Sequence, residues 1–340
     1  MSNTTEQGHN SSREHIEYFL EDIRYQGKSK RTQDAYERVL TDFATYLDRR
    51  DLSIEHANHR DCMAYIHQLR GAVAESTVAT YASYLNRFYD YMMRVDAFDN
   101  NPMSIVVEEM DESINSDPTR RDLSVPAMQT FVGEISHPLD RAVILTLLKT
   151  GMRAGELCNL DRRDLNLADD ESPHRPRLDG RENSLFVDSA PAAGAIYNDE
   201  RRTASNKRKR ATTIPVDGEL SETLERWLAI RPDPVSPANP LFVSTADSWG
   251  KRLTPDMVHH LVETRSRAAG WYREDGGPEE NVTPHYFRHF FTTHLRDRTG
   301  DRGVVKYLRG DVATDVIDTY THDWGNRIRT VYEKHIYSLL

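Results

Sequence analysis

The first third of the chain carries apolar side chains at helical spacing. Residues 14–24 place Ile16, Phe19, Leu20 and Ile23 on one face, as a repeat of 3.6 residues requires. The same spacing predicts three further helices: one opened by residues 29–32, one over residues 61–70 and one over residues 76–93. No alternating strand pattern interrupts them. We therefore predict a helical domain of four to five helices over residues 13–108, after a flexible polar segment at residues 1–12.

The rest of the chain combines helical patterns with short strand patterns. Residues 109–122 are polar and contain a proline, which indicates a linker. Ser124 and Pro126 form a helix start, and residues 139–149 form a strongly apolar helix. Three short segments predict a small three-stranded sheet: residues 165–167, 184–187 and 212–216. The predicted fold class is mainly α, with an α+β domain over residues 123–340.

The charge of the chain is unusual for a protein that binds nucleic acid. The formal net charge is -10, whereas DNA-binding domains are usually basic. Only 8 of the 44 basic residues are lysine, which leaves 36 arginines. Scarce lysine and abundant acid favour a salt-adapted host, and a merely acidic surface is the alternative. DNA binding needs a local basic face rather than a positive total, so nucleic acid is not excluded.

Membrane and secretion signals are absent from the sequence pattern. No apolar run reaches the ~18 residues of a membrane span, and residues 1–12 lack the apolar core of a signal peptide. The two cysteines, Cys62 and Cys158, lie far apart and match no metal spacing. These features predict a cytoplasmic protein with reduced cysteines.

Three segments of the second domain carry residues suited to phosphoryl transfer. Residues 150–157 place Arg153 after a glycine, and residues 285–288 place His285 and Arg288 one helical turn apart. Tyr320 follows near the carboxyl end. Arginine forks can bind the phosphate oxygens on which charge builds, and a histidine can accept or share the phenolic proton. A phenol of pKa ~10 needs such a cationic pocket to act as a nucleophile.

Taken together, these segments resemble the tyrosine recombinases, the phage integrase family that includes the Xer and Cre recombinases. The resemblance runs from residue 13 to residue 335. It implies a SAM-like core-binding domain followed by a catalytic domain with the DNA breaking-rejoining fold. It implies a site-specific recombinase or integrase that cuts and rejoins double-stranded DNA through a 3′-phosphotyrosyl intermediate, without metal or other cofactor. It also implies a homo-oligomer on DNA, with a tetrameric synapse, and the composition suits a haloarchaeal-type member.

The resemblance also implies roles for individual residues. The implied catalytic set is Arg153, Lys207, His285, Arg288 and Tyr320. Glu156 and His322 are implied as supporting residues. Tyr320 fits the family spacing, because Gly310 stands ten residues before it. Tyr332 and Tyr337 are its rivals, but both belong to an amphipathic helix at the carboxyl end.

The general acid is implied to come from the basic run within residues 189–209, a long segment of the kind that is usually functional or disordered. The family carries a lysine eight residues before the proline of the third strand, and Lys207 stands at that distance from Pro215. Lys209 is a rival, and the whole run could instead be a DNA-backbone contact or a solvated charge run. The expected DNA contacts are Lys30, Arg31, Lys209 and Arg210.

One position departs from the family pattern. The family usually has a histidine or tryptophan nine residues before the nucleophile, and this chain has Asp311 there. A carboxylate near a phosphate is repelled unless it is protonated or paired. Asp311 could hold Arg309, accept a hydrogen bond from Tyr320 or orient His322.

Two other functions share many of these features. A type IB topoisomerase uses a similar set of residues, and a DNA-binding regulator could keep the fold without catalysis. The helix at the carboxyl end has an apolar stripe at helical spacing, made of Ile328, Val331, Tyr332 and Ile336. We expect this stripe to dock on a neighbouring protomer, and docking on its own domain is the alternative.

Overall fold

A computed structural model of the chain describes residues 2–113, 120–168, 170–274, 276–311 and 324–340. The chain divides into two compact units, residues 1–117 and 118–340. Each unit has a hydrophobic core built from its own side chains alone. Within the ranges that the structure describes, no helix is long and apolar enough to cross a lipid bilayer.

The first unit is helical throughout its described length. Its helices are α1 (Ser2–Tyr25), α2 (Lys30–Asp48), α3 (His59–Leu69), α4 (Glu75–Arg94) and α5 (Met103–Glu109). The Ser29 side chain caps α2 by accepting a hydrogen bond from the backbone N–H of Thr32. Aromatic rings fill the core, where the Phe19 centroid lies 5.3 Å from that of Phe88 and 5.5 Å from that of Tyr36. The apolar periodicity predicted these helices correctly.

Helix α1 begins at Ser2, and the flexibility expected for residues 1–12 stays a prediction. Ser12 is buried, and its hydroxyl accepts a hydrogen bond from the backbone N–H of Ile54 at 3.1 Å. The first apolar core residue of the helix, Ile16, comes one turn later. The helix therefore includes a polar turn fixed by a long-range contact, which apolar periodicity cannot detect.

The second unit is built around α7, in which every residue from 142 to 150 is buried. Its described helices are α6 (Val125–Gly133), α7 (Pro138–Thr150), α8 (Ala154–Cys158), α9 (Gly218–Ile230), α10 (Pro255–Ala268), α11 (Pro284–Thr299), α12 (Arg302–Arg309) and α13 (Trp324–His335). Helix α7 packs against α9 and α11. Ser124 caps α6, with Pro126 in its first turn as predicted.

A three-stranded antiparallel sheet flanks these helices, as the strand patterns predicted. Its strands are β1 (Leu165–Asn166), β2 (Ser184–Val187) and β5 (Thr212–Pro215), in the order β1-β2-β5. Leu185 pairs with Leu165 on one side and with Ile214 on the other. All three side chains are buried in the core of the second unit, so the central strand joins the sheet to the helices.

The long basic segment at residues 189–209 carries a second, two-stranded sheet. Its strands are β3 (Ile196–Tyr197) and β4 (Glu200–Arg201). Asn198 and Asp199 turn between them with φ of 53° and 59°, values that these two residue types tolerate in tight hairpins. Directly after β4, the buried Arg202 donates through Nη2 to both carboxylate oxygens of Asp161, at 3.0 and 2.9 Å. This ion pair anchors the segment, so the hairpin is ordered rather than a disordered loop.

The residues at the carboxyl end pack into the core of their own unit. Ile328, Tyr332 and Tyr337 are buried there. The Tyr332 hydroxyl donates to the carbonyl oxygen of Lys149 at 3.0 Å, and the Tyr337 hydroxyl donates to that of Leu148 at 2.5 Å. The expectation that this stripe docks on a neighbouring protomer is therefore wrong for Ile328 and Tyr332. The two phenols dock in cis because the end of α7 offers them carbonyl acceptors.

Candidate active site

Arg153 is positioned by a sharp turn between α7 and α8. Gly151 ends α7 with φ 61°, and a Cβ at this position would collide with the Phe291 ring. The turn therefore requires glycine. Arg153 then caps α8, and the buried Glu156 holds it twice. The backbone N–H of Arg153 donates to Glu156 Oε2 at 2.9 Å, and its Nη1 donates to Oε1 at 3.1 Å.

Arg288 lies one turn into α11, where it is 2% exposed. Its Nη1 donates to the carbonyl oxygens of Gly151 at 2.7 Å and Arg309 at 3.2 Å. Two backbone carbonyls thus fix one edge of the guanidinium and leave Nη2 for another partner. Burial and the nearby Arg153 and Arg309 lower the pKa of Arg288 to about 10. The side chain therefore remains a cation at neutral pH.

Asp311 is the partner that these arginines share. Its Oδ1 accepts from Arg153 Nη2 at 3.2 Å and from Arg288 Nη2 at 2.8 Å. Its Oδ2 accepts from the same Arg288 Nη2 at 2.8 Å and pairs with Arg309 Nη2 at 2.9 Å. Burial alone would raise the pKa of Asp311, but the three guanidinium groups hold it below its ordinary value. Asp311 is thus an ionised carboxylate at the centre of an arginine cluster.

The structure tests one of the three alternatives for Asp311. The contact with Arg309 is present, and contacts with Arg153 and Arg288 add to it. The other two alternatives involve Tyr320 and His322, which lie outside the described residues. The structure thus describes the anion-binding half of the predicted site, and the predicted nucleophile stays a prediction.

His285 is the second residue of α11, the helix that carries Arg288, and follows Pro284 in its first turn. Its side chain is exposed. The protein atoms beside the ring still remove part of its hydration, which lowers the pKa of His285, and the positive charges of Arg120 and Arg288 lower it further. A neutral imidazole is therefore favoured, and a neutral imidazole can accept a proton.

The basic run that carries Lys207 and Lys209 is tied to the cluster through its backbone. The Lys207 carbonyl oxygen accepts from Arg153 Nη1 at 3.4 Å, and the Lys209 N–H donates to the carbonyl oxygen of Gly310 at 3.0 Å. Both lysine side chains are exposed. The structure therefore brings both candidates for the general acid to the edge of the site, and their order of preference stays a prediction.

The other predicted DNA contacts lie in different places. Lys30 and Arg31 are exposed in the first turn of α2, and Lys30 pairs with Asp34 at 2.8 Å. The Arg210 guanidinium lies over the Tyr307 ring, 5.5 Å from its centroid. Lys30 and Arg31 therefore belong to the first unit, and Arg210 belongs to the second.

The rivals of Tyr320 are unsuited to nucleophilic attack. Tyr332 and Tyr337 have no exposed surface, and each hydroxyl donates to a backbone carbonyl of α7. Burial raises the pKa of both phenols well above the ordinary value. A buried phenol that resists ionisation cannot reach a phosphodiester, so these two residues are structural.

No group of three or more histidine, cysteine, aspartate or glutamate side chains in the described ranges could hold a metal ion. The positive charges described around Asp311 are the guanidinium groups of Arg153, Arg288 and Arg309.

Two family descriptions match this chain. The description "Phage integrase family" matches residues 126–327, and "Phage integrase, N-terminal SAM-like domain" matches residues 16–95. The first match alone covers more than half of the chain. This chain belongs to the phage integrase family. The family assignment agrees with the resemblance that residues 150–157 and 285–288 indicated in the sequence.

Relatives of this integrase match it along nearly its whole length. The tyrosine recombinase XerC of Pelotomaculum thermopropionicum is 26% identical over 340 residues, which cover 94% of this chain and 97% of the relative. The tyrosine recombinase XerD of Staphylococcus saprophyticus is 24% identical, with 94% and 97% covered. The integrase is thus a tyrosine-type site-specific recombinase.

Solved structures share the fold of this integrase. The Tn1549 transposon integrase in complex with a circular intermediate DNA has a TM-score of 0.66 at 17% identity, covering 94% of this chain and 99% of the other. A lambda integrase dimer bound to a COC′ core site has a TM-score of 0.62 at 15% identity, covering 92% and 77%. Both support the mainly helical fold with a SAM-like first domain.

Sequence reasoning missed one buried member of the site of this integrase, Arg208. Its Nη2 pairs with Glu156 Oε2 at 3.2 Å, and its Nη1 donates to the carbonyl oxygen of Leu308 at 3.0 Å. The segment around Arg208 is not a strand in the structure, so no strand alternation marks this residue in the sequence. Its burial depends on the ion pair with the distant Glu156.

Proposed function

We propose that this recombinase cuts and rejoins double-stranded DNA at specific sites, with Tyr320 as the nucleophile. The observation that carries the proposal is the convergence of Arg153 Nη2 and Arg288 Nη2 on one anion, Asp311. Arginine forks that bind a carboxylate in this way also bind phosphate. His285 and the Lys207 backbone border the same cluster, so the two side chains suited to proton transfer belong to residues beside the arginines.

The proposed reaction is a transfer of a phosphoryl group to tyrosine. The Tyr320 oxygen attacks the phosphorus and its proton passes to His285. The bond from phosphorus to the 5′-oxygen breaks, and Lys207 protonates that oxygen as it leaves. The products are a 3′-phosphotyrosyl link and a free 5′-hydroxyl. A 5′-hydroxyl of the partner duplex reverses these steps and rejoins the strand, so no external energy source is needed.

The arginines supply charge stabilisation in this scheme. The transition state carries more negative charge on the phosphate oxygens than the substrate does, and preorganised cations stabilise it. Arg153 and Arg288 are preorganised because Glu156 and the Gly151 carbonyl hold their other ends. Two fixed guanidinium groups thus take the place that a metal ion has in many phosphoryl-transfer sites.

The two domains have different roles in this proposal. We assign residues 13–108 to a core-binding domain and residues 123–340 to the catalytic domain, joined by a linker at residues 109–122. Lys30, Arg31, Lys209 and Arg210 contact the DNA backbone, and Glu156 and His322 support the catalytic residues. A solved lambda integrase tetramer bound to a Holliday junction has the same fold. By analogy, four copies of this chain assemble two recombination sites in the cytoplasm of the host.

A suicide substrate tests the proposal. A nicked DNA duplex that loses its 5′-fragment on cleavage traps the covalent intermediate, and we expect the chain to become attached to the 3′-end. An active recombinase also transfers a strand between two duplexes, whereas a type IB topoisomerase relaxes one supercoiled circle as a monomer. A chain that binds the site but never becomes attached is a regulator, and that result overturns the proposal.

A further inference from the structure

The anion position of the proposed active site is occupied by a side chain of the chain itself. Arg153, Arg288 and Arg309 each direct Nη2 at the Asp311 carboxylate, at distances from 2.8 to 3.2 Å. The Nη1 atoms of the first two are already committed, to Glu156 Oε1 and to the Gly151 carbonyl oxygen. The Nη2 ends are therefore the ends that a bound anion would use.

Arg309 adds a third guanidinium that the family pattern does not predict. Its side chain is 29% exposed, so it lies at the mouth of the cluster. Within the part of the chain that the structure describes, its buried Nε has no hydrogen-bond partner. A donor without an acceptor at this position can be satisfied by an arriving anion. Arg309 and Asp311 flank Gly310, so one short turn supplies both an extra cation and its counter-ion.

We propose that Arg309 is a third phosphate-binding residue of this recombinase and that Asp311 is its internal counter-ion, whose place the DNA phosphate takes. The inference rests on the proposed function. A carboxylate and a phosphodiester each offer two anionic oxygens, and an arginine fork binds both in the same way. The phosphate therefore meets the three Nη2 atoms that Asp311 holds in the DNA-free chain.

The charges of the cluster explain why a counter-ion is useful there. The cations are Arg153, Arg208, Arg288 and Arg309, and the anions are Glu156 and Asp311, so four positive charges face two negative ones. The excess of two still attracts a phosphodiester. Without Asp311 the excess is three, and buried like charges repel one another strongly. Asp311 thus keeps the arginines together and reduces their affinity for small anions.

Binding of inorganic phosphate to the DNA-free chain tests the inference. The melting temperature is measured as phosphate is added, at constant ionic strength, for the wild type, Asp311→Asn, Arg309→Leu and the double variant. We expect Asp311→Asn to need about tenfold less phosphate for the same stabilisation, the effect of one charge-assisted hydrogen bond. We expect Arg309→Leu to need about tenfold more, for the same reason, and the double variant to return towards the wild type.

Asp247→Asn is the matched control, because Asp247 is exposed and its loss changes the net charge by the same amount. It should leave the phosphate response unchanged. An unchanged response of Asp311→Asn or of Arg309→Leu overturns the inference. If Asp311→Asn folds only when phosphate is present, that result supports the counter-ion role. If Asp311→Asn never folds, the phosphate response of Arg309→Leu tests the inference instead, because Asp311 still has two arginine partners in that variant.

The phosphate measurement is independent of the covalent-trapping assay. A wild-type chain that responds to phosphate as expected but never attaches to DNA contradicts the proposed function alone. A chain that attaches to DNA normally, but whose Arg309→Leu variant binds phosphate like the wild type, contradicts the further inference alone.

Discussion

Glu156 and Arg208 form an ion pair in which Oε2 and Nη2 lie 3.2 Å apart and neither side chain is exposed. The other oxygen of Glu156 accepts from Arg153 Nη1 at 3.1 Å. One carboxylate therefore joins the α8 end of the site to the basic run that carries Lys207. In the proposed reaction, this link holds Arg153 and Lys207 near the same phosphate.

The first prediction concerns the stability that this carboxylate provides. Glu156→Gln keeps the shape but leaves Arg208 buried without a counter-ion. We expect the free energy of unfolding to fall by about 3–5 kcal/mol, the usual cost of breaking a buried pair. Urea unfolding of the DNA-free chain measures it. Glu222→Gln, which breaks an exposed pair with Arg226, should have a small effect; equal effects of the two variants would show that Glu156 is not structural.

The second prediction concerns the general acid. Lys207→Ala should slow cleavage of ordinary DNA, because the 5′-oxygen then leaves without a proton. Cleavage of a substrate with a 5′-bridging phosphorothiolate should be largely restored, since a thiolate leaves without protonation. Lys209→Ala is the matched control from the same exposed run and should show less of both effects. If the sulfur rescues neither variant, the run binds the DNA backbone instead.

The third prediction concerns the end of the chain. Tyr337 is buried, and its carbonyl oxygen accepts from Lys149 Nζ at 2.6 Å. Deleting residues 336–340 should therefore destabilise the isolated chain by about 3–5 kcal/mol, as loss of a large buried aromatic side chain does. Deleting Leu340 alone, which is 48% exposed, is the control. An unchanged free energy of unfolding at low protein concentration would contradict the packing of Tyr337 in the core of its own unit.

The fourth prediction concerns pH. The pKa of His285 is lower in the folded chain than its ordinary value, so the unfolded chain binds the proton more readily. Stability then rises with pH between the folded pKa and the unfolded value of about 6.5. His285→Asn should flatten this rise in urea unfolding from roughly pH 5 to 8, whereas His59→Asn in the first unit should not. An identical pH dependence in both variants would contradict the lowered pKa.

The sequence predicted most of the elements and the local parts of the site. Arg288 and His285 share a face of α11 because they are three residues apart. Arg153 follows a glycine that the turn requires. Such relationships depend on neighbours along the chain, so a pattern of residues is enough to predict them.

The parts of the site that the sequence did not predict depend on contacts between segments that are distant along the chain. Arg208 meets Glu156 across 52 positions (208 minus 156), and Asp311 meets Arg153 across 158. The three alternatives for Asp311 could not be separated, because each pairs a carboxylate with a plausible donor. The sequence also leaves open which surface the apolar stripe at the carboxyl end packs against, since an apolar helix face packs equally well on its own domain or on a neighbouring protomer.

Covalent trapping with the Tyr320→Phe variant is the most direct test of Tyr320 as the nucleophile. Wild-type chain and variant are incubated with the same nicked suicide substrate, and attachment to the 3′-end is followed on a denaturing gel. Tyr332→Phe is the control, because its phenol only donates to a backbone carbonyl of α7. We expect Tyr320→Phe to bind the DNA but to form no covalent complex, while Tyr332→Phe forms it. Attachment of Tyr320→Phe at the wild-type level would show that Tyr320 is not the nucleophile.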